Sequence, residues 1–343
     1  MRCVQRAGMR DFLASSFRGE SGVSKTSIKT QPWAAASWAT ALLVTTLSAS
    51  APSAGTAPAS ATTPTPLEPL SLPALDSSTS LLVVSPHPDD ETLCCAGLIH
   101  RVLTAGGHVS VVWITSGDGS TLSMLFTEKS LLKPVEKVHD LAAKRMLEAR
   151  TATSILGVDH TQQYFLGYPD GGILDLITTH HSTALPAKFT GETRVPYPEA
   201  VFPGHPYTGD SLEKDFEAVL TRVQPNLILT PSPADTHPDH QATGILTRDV
   251  LTRRGELPKA RFWIVHASEG WPTPRGYLST IPLNTPPHTD FQPQEFTLSD
   301  AEVDIKHQAI NSYKTQMQFM APFLLAFVRT SELYSPPPVP EGH

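Results

Sequence analysis

Leu81-Leu82-Val83-Val84-Ser85-Pro86-His87-Pro88-Asp89-Asp90-Glu91 is the stretch on which the fold turns. Its first four residues are a continuous apolar run, the mark of a strand covered on both faces. Pro86 and Pro88 keep the backbone extended as far as Asp89. Asp89 or Asp90 can then cap a helix in which Leu93, Ala96, Ile99 and Leu103 follow helical spacing up to Gly106-Gly107. One imidazole and two carboxylates thus stand on a tight strand-to-helix turn at the carboxyl end of a buried strand. Open α/β sheets place their ligand sites there.

Outward from this turn, strands and helices alternate. Residues 108–115 (HVSVVWIT), 163–166, 226–230 (NLILT) and 261–266 (RFWIVH) read as further strands. Residues 136–156 read as a helix with Val138, Leu141, Ala142, Met146 and Ala149 on one face; 212–223, about 239–252 and roughly 300–317 read as three more. That order predicts one α/β domain over residues 80–334, a mostly parallel sheet with helices on both faces.

The strand at 226–230 leads into a second polar turn, Asp235-Thr236-His237-Pro238-Asp239-His240, with Pro238 in the first helical turn. If both strands are central the two turns converge. His87, His237 and His240 with Asp89, Asp90 and Asp239 then match a catalytic metal site with nitrogen and oxygen ligands. Such a site needs about three protein ligands, an open position, an uncoordinated base and a group to meet the oxyanion or leaving amine. Either turn alone reads as a capped helix start with a surface histidine. The pair, each after a buried strand, reads as a metal site.

The two turns, PHPDDE and HPDH, resemble the paired signatures of the LmbE-like, PIG-L family of de-N-acetylases, and the likeness covers most of residues 81–320. The resemblance implies a Rossmann-like fold, one zinc (Zn2+) per chain, and removal of the acetyl group from an N-acetylglucosaminyl-type sugar or glycoconjugate. Iron (Fe2+) is the alternative ion that the same ligand types accept. Carried over motif by motif, His87, Asp90 and His240 become the metal ligands. Asp89 becomes the base for the zinc-activated water, and His237 the electrophile and proton donor. Asp239 would orient His237 or a ligand, and Glu91 would support the turn.

Two weaker segments also look like the family. Asp118, in Thr115-Ser116-Gly117-Asp118-Gly119, and Asp170, in Gly167-Tyr168-Pro169-Asp170-Gly171, are candidate substrate-binding residues, although Pro-Asp-Gly is ordinary turn chemistry. Adjacent Cys94 and Cys95 occupy positions where relatives often have small residues; neighbours rarely form a strain-free disulfide, and they read as packing residues. Trp271 with nearby prolines is a candidate sugar-stacking wall, beside the plainer reading of a structural loop. Residues 171–210 align with nothing.

Composition frames the rest. Residues 1–51 hold six basic and two acidic residues, then an uncharged run from Ala34 that ends in Ala49-Ser50-Ala51, a signal-peptidase pattern. The expectation is an exported protein, periplasmic or extracellular, with a cleaved signal peptide; an uncleaved anchor through residues 34–51 is the rival, as a membrane tether. Residues 52–343 carry a formal −11 against −7 for the whole chain, which argues against nucleic acid as a partner. Residues 52–79, rich in Pro, Ala, Ser and Thr, read as an extended linker, and 335–343, opening on Ser-Pro-Pro-Pro, as a disordered tail. The expected substrate is an N-acetylated sugar, glycolipid or glycoside. An amidase acting on another N-acyl substrate and a non-catalytic sugar-binding relative are the alternatives.

Overall fold

The first polar turn lies where the strand order of a five-stranded parallel sheet reverses. In the computed structural model, which describes residues 66–119, 135–268 and 270–337, the strands are β1 (Ser80–Ser85), β2 (His108–Thr115), β3 (Gln163–Tyr168), β4 (Leu227–Pro231) and β5 (Ala260–Trp263). They lie in the order β3-β2-β1-β4-β5. The chain moves from β1 outward through β2 to β3, then starts again on the other side of β1 with β4. In register, Leu81 pairs with Leu227 and Val83 with Leu229, so the ends of β1 and β4 open side by side. That switch point is where doubly wound sheets leave a crevice for ligands. The expected strands and their parallel order are present.

The helices are α1 (Asp90–Thr104), α2 (Val135–Leu156), α3 (Ile173–Thr178), α4 (Gly209–Val223), α5 (Pro238–Arg253), α6 (Asp300–Ile310) and α7 (Lys314–Leu324). α6 packs on α1 and α2; α3 packs on α4 and α5. The core strands are fully covered: Leu81, Leu82, Val83, Val84, Val111, Val112, Ile228 and Leu229 are 0% exposed, as continuous apolar runs require. Cys94 and Cys95 pack in this core on α1, and their sulfurs are bonded to each other, which corrects the expectation that adjacent cysteines would stay separate.

The linker expectation also needs correction. Leu67, Leu70, Leu72 and Leu75 pack against the core, and the Leu70 amide donates to the Glu295 carbonyl (2.8 Å). This segment is docked along a short antiparallel pair, β6 (Gln294–Thr297) and β7 (Ser331–Tyr334), which the sequence reading did not anticipate. Four leucines at close spacing outweigh the prolines around them. The helix expected over 300–317 is two helices, broken at Asn311–Tyr313, where Tyr313 turns wholly inward. Residues 1–51, with the leader and tether expectations, lie outside the described residues. So does most of the proposed tail, although Ser335 pairs with Phe262 on the edge of β5. Among the described residues no helix is long and apolar enough to cross a membrane.

Candidate active site

Past β1 the chain is fixed by its own side chains. Ser85 Oγ donates to the His87 carbonyl (2.7 Å), and the Pro86 carbonyl accepts from the Thr115 amide and hydroxyl at 3.0 Å each, tying the turn to the end of β2. The His87 amide donates to Asp90 Oδ2 (3.0 Å). Asp89 occupies the N-cap position of α1 but makes no side-chain cap bond, and its φ of 136° lies in the left-handed half of backbone space that non-glycine residues avoid. Its amide is held by Glu91 Oε2 (3.2 Å). Glu91 in turn accepts from Trp113 Nε1 (2.8 Å), Thr92 Oγ1 (2.9 Å) and the Tyr313 hydroxyl. Glu91 therefore braces the turn from below, and the Asp89 carboxylate is left for the cavity above. Residues held in strained backbone tend to sit at functional sites, because surrounding contacts must over-determine them.

At the end of β4, His237 is the N-cap of α5, and its Nδ1 accepts from the Asp239 amide (3.3 Å). A neutral His237 ring consequently carries its proton on Nε2. Burial and the neighbouring His87 and His240 push its pKa down to about 4, favouring that neutral form.

The two turns meet. His87 Nδ1 lies 3.2 Å from Asp90 Oδ2, His240 Nε2 lies 3.1 Å from the same oxygen, and the two nitrogens are 3.3 Å apart. Ligand atoms about 2.0–2.1 Å from a tetrahedral zinc would stand roughly 3.3 Å from one another. The three atoms thus form a triangle of the right size for a divalent ion. The far side of each imidazole supports the same reading. His87 Nε2 lies 3.2 Å from Asp239 Oδ2, and His240 Nδ1 lies 3.1 Å from Asp235 Oδ2. Carboxylates that accept from the outer nitrogens would let the inner nitrogens, once deprotonated, turn their lone pairs to an ion. Burial opposes ionisation of Asp90, yet His240 and His87 hold its carboxyl well below the ordinary range. His237 and His266 also approach this centre, His237 within 4.8 Å of His87 and His240, His266 within 4.8 Å of Asp90 and His240.

A cavity of about 290 Å³ covers the triangle, lined by Asp89, Asp170, Arg145, His237 and His266 among others. Asp89 Oδ2 is 3.3 Å from Arg145 Nη2. Burial raises the Asp89 carboxyl to about 8, against the opposing pull of Arg145. Asp170 approaches His87 Nε2 (3.5 Å) and accepts from the Gly119 amide (3.1 Å); burial works against its charge, but His87 and Arg145 hold its carboxyl below the usual range.

Of the residues singled out in the sequence, His87, Asp89, Asp90, Asp170 and His237 line this cavity, and His240 and Asp239 lie directly behind it. Asp239 faces His87, one of the groups it was expected to orient, and it also accepts from the Gly171 (2.7 Å) and Ile173 (3.1 Å) amides. Asp118 is absent from the lining. It accepts from the Tyr197 hydroxyl (2.6 Å) and the Asp170 amide (3.1 Å), so it sets the loop that presents Asp170. Trp271 is buried, with Nε1 donating to the Asn284 carbonyl (2.7 Å), which makes it a structural residue and not a stacking wall.

Three site residues escaped the sequence reading. Arg145 lies on the apolar stripe of α2 between Leu141 and Ala149, an anomaly that could have marked it. It donates to the Pro88 (2.8 Å) and Gly117 (3.0 Å) carbonyls. Gly117, at φ 69°, must be glycine, because a Cβ there would meet Arg145 Nη1 at 2.4 Å. His266 follows the fifth strand at its carboxyl end, the same position that marked the other two turns. Asp235 opens the second motif. It accepts from the His237 (2.9 Å), Val265 (2.9 Å) and His266 (3.0 Å) amides as well as serving His240. Replacing Asp235 with Asn should keep those contacts partly in place but lose the carboxylate behind His240. The expected result is a metal affinity 10–100-fold weaker, on the scale of such outer partners, read by competition with a chelator. Unchanged affinity would leave Asp235 as a turn-builder only.

Both polar turns fall in a stretch of the chain that resembles known proteins. Residues 82–251 match the family model described as PIG-L, GlcNAc-PI de-N-acetylase. The 1D-myo-inositol 2-acetamido-2-deoxy-alpha-D-glucopyranoside deacetylase of a Mycobacterium species is 27% identical over 198 residues, covering 55% of this chain and 56% of that protein. Diacetylchitobiose deacetylase of Thermococcus kodakarensis is 25% identical over 178 residues, covering 51% of this chain and 50% of that protein. The chain thus spans about half the length of the curated relatives it matches. Among solved structures, N,N'-diacetylchitobiose deacetylase from Pyrococcus horikoshii aligns with a TM-score of 0.45 at 20% identity, over 74% of this chain and 82% of that one. With both signature turns inside the matched stretch, this chain carries a domain of the PIG-L, LmbE-like family.

Proposed function

We propose that this protein hydrolyses the acetamido amide of an N-acetylglucosamine-type sugar, with zinc held by His87 Nδ1, Asp90 Oδ2 and His240 Nε2. The observation that carries the reading is the triangle of those three atoms with Asp89 in the same cavity. The names of the matched relatives, both deacetylases of acetamido sugars, support the choice of bond.

When bound, the ion polarises a carbonyl and makes water a stronger acid near neutral pH. Asp89 accepts the proton of the water that attacks the acetyl carbon; Arg145 holds that carboxylate in place. His237, with its proton on Nε2, donates a hydrogen bond to the oxygen that becomes negative. The C–N bond then breaks, the sugar nitrogen takes the proton, and acetate and a free amino sugar leave. Asp170 receives a sugar hydroxyl, and Asp118 keeps its loop in register.

The test is incubation of the zinc-loaded full chain with methyl N-acetylglucosaminide, measuring acetate and primary amine together. Equal release of both is expected. Amine without acetate from other N-acyl sugars would shift the assignment to a different amidase. Ferrous iron giving the higher rate would replace zinc and leave the rest standing.

A further inference from the structure

The catalytic cavity does not end at the sugar site. A second cavity of about 420 Å³ adjoins it, lined by His266, Arg275, Phe319, Met320, Pro322 and Phe323, and the two share His266, Met320 and Phe323. The catalytic part is built of carboxylates, imidazoles and a guanidinium. The annex presents three large apolar side chains, Phe319, Met320 and Phe323, from two adjacent turns of α7. Polyols gain little from such a wall, whereas an aryl or acyl group can lay one apolar face against it.

The annex also has a cation. Phe323 stacks on His266 with ring centroids 5.5 Å apart and 14° between planes, and Arg275 Cζ stands 4.5 Å from the Phe323 centroid on the annex wall. The Arg275 loop is pinned. Buried Arg329 donates to the Pro274 (2.6 Å) and Gly276 (3.1 Å) carbonyls on either side, and the Gly276 amide donates to the Pro322 carbonyl (2.8 Å). Among the described residues Arg275 has no carboxylate partner. A guanidinium placed over an aromatic ring keeps its edge donors for an incoming anion, which it can grip in bidentate fashion. α7 and Arg275 lie beyond residues 82–251, so they belong to the part of the chain on which the family match is silent.

We infer that this annex is an aglycone subsite, and that the substrate carries on its sugar an apolar aryl or acyl group bearing an anionic substituent. The inference rests on the deacetylase reading and names its substrate class.

The experiment compares four glycosides of N-acetylglucosamine with the zinc-loaded full chain: methyl, phenyl, 4-carboxyphenyl and a second N-acetylglucosamine unit. In kcat/KM the 4-carboxyphenyl glycoside should lead and the phenyl follow, the first exceeding methyl by at least about tenfold. Phe319→Ala should cut the phenyl-to-methyl ratio about tenfold. Arg275→Gln should remove the advantage of 4-carboxyphenyl over phenyl and leave the phenyl-to-methyl ratio standing. Equal use of methyl and aryl glycosides, preference for the disaccharide, or ratios unmoved in both variants would overturn the subsite while the deacetylase reading survived. If none of the four releases acetate, that reading fails instead. Calorimetric titration of the 4-carboxyphenyl against the methyl glycoside, in wild type and both variants, then decides the annex without turnover: tighter aryl binding lost in Phe319→Ala supports it, and equal affinities refute it.

Discussion

His240→Ala should leave the full chain unable to retain zinc: about one ion per chain in the wild type after loading and desalting, and under a tenth of that in the variant. The reason is that His240 supplies one corner of the donor triangle. Its Nε2 is 3.1 Å from Asp90 and 3.3 Å from His87, so removing it leaves one imidazole and one carboxylate, too few to hold a catalytic ion against dilution. The ring is wholly buried, and its loss opens a void beside Asp235. The turn itself should persist, because Asp235 keeps its three backbone donors. His240→Asn fills more of the space and should be equally metal-poor. Melting curves in the presence of chelator separate the two effects, since variants that lack only the ion should match the metal-stripped wild type. Wild-type stoichiometry in either variant would remove His240 from the ligand set and move attention to His237 and His266, which approach the same centre.

The part of this site written in the sequence is the part made by local chain geometry. A buried strand, a proline-stiffened turn and a helix start deliver His87, Asp89 and Asp90 within four residues, and the second motif does the same for His237, Asp239 and His240. Their meeting needs β1 and β4 to be neighbours, which two continuous apolar runs in an alternating order suggested and the sheet order bears out. What escaped depends on long-range partners. Arg145 comes from a helix more than fifty residues away and is visible only as a basic residue on an apolar stripe. Tyr313, by reaching Glu91 and Thr92 from the far end of the chain, breaks what periodicity reads as one helix. Leu67 to Leu75 looked like tether because prolines dominate the composition, and only the presence of β6 gives those leucines somewhere to dock. Four-residue strands such as β6 and β7 leave too short a pattern to separate from a loop.

Asp89→Asn should reduce kcat about a thousandfold while the metal stays bound, the separation that distinguishes a base from a ligand. The side chains are nearly the same size, and neither oxygen of Asp89 belongs to the donor triangle. Its backbone already occupies a costly conformation at φ 136°, held by Glu91 on its amide and by Arg145 on the preceding carbonyl, and these holds do not require a charge at residue 89. Arg145 would lose one carboxylate but keep the Gly117 and Pro88 carbonyls and the nearby Asp170. The amide cannot accept a proton from water, so the attack step loses its base while KM for the sugar should change by less than about threefold, as expected when an interaction made only in the transition state is removed. Metal content, kcat and KM measured on the same preparation decide the matter. A loss of zinc along with activity would make Asp89 part of the metal site. A kcat within tenfold of wild type would pass the role of base to another group on the cavity wall, with Asp170 the carboxylate to test next.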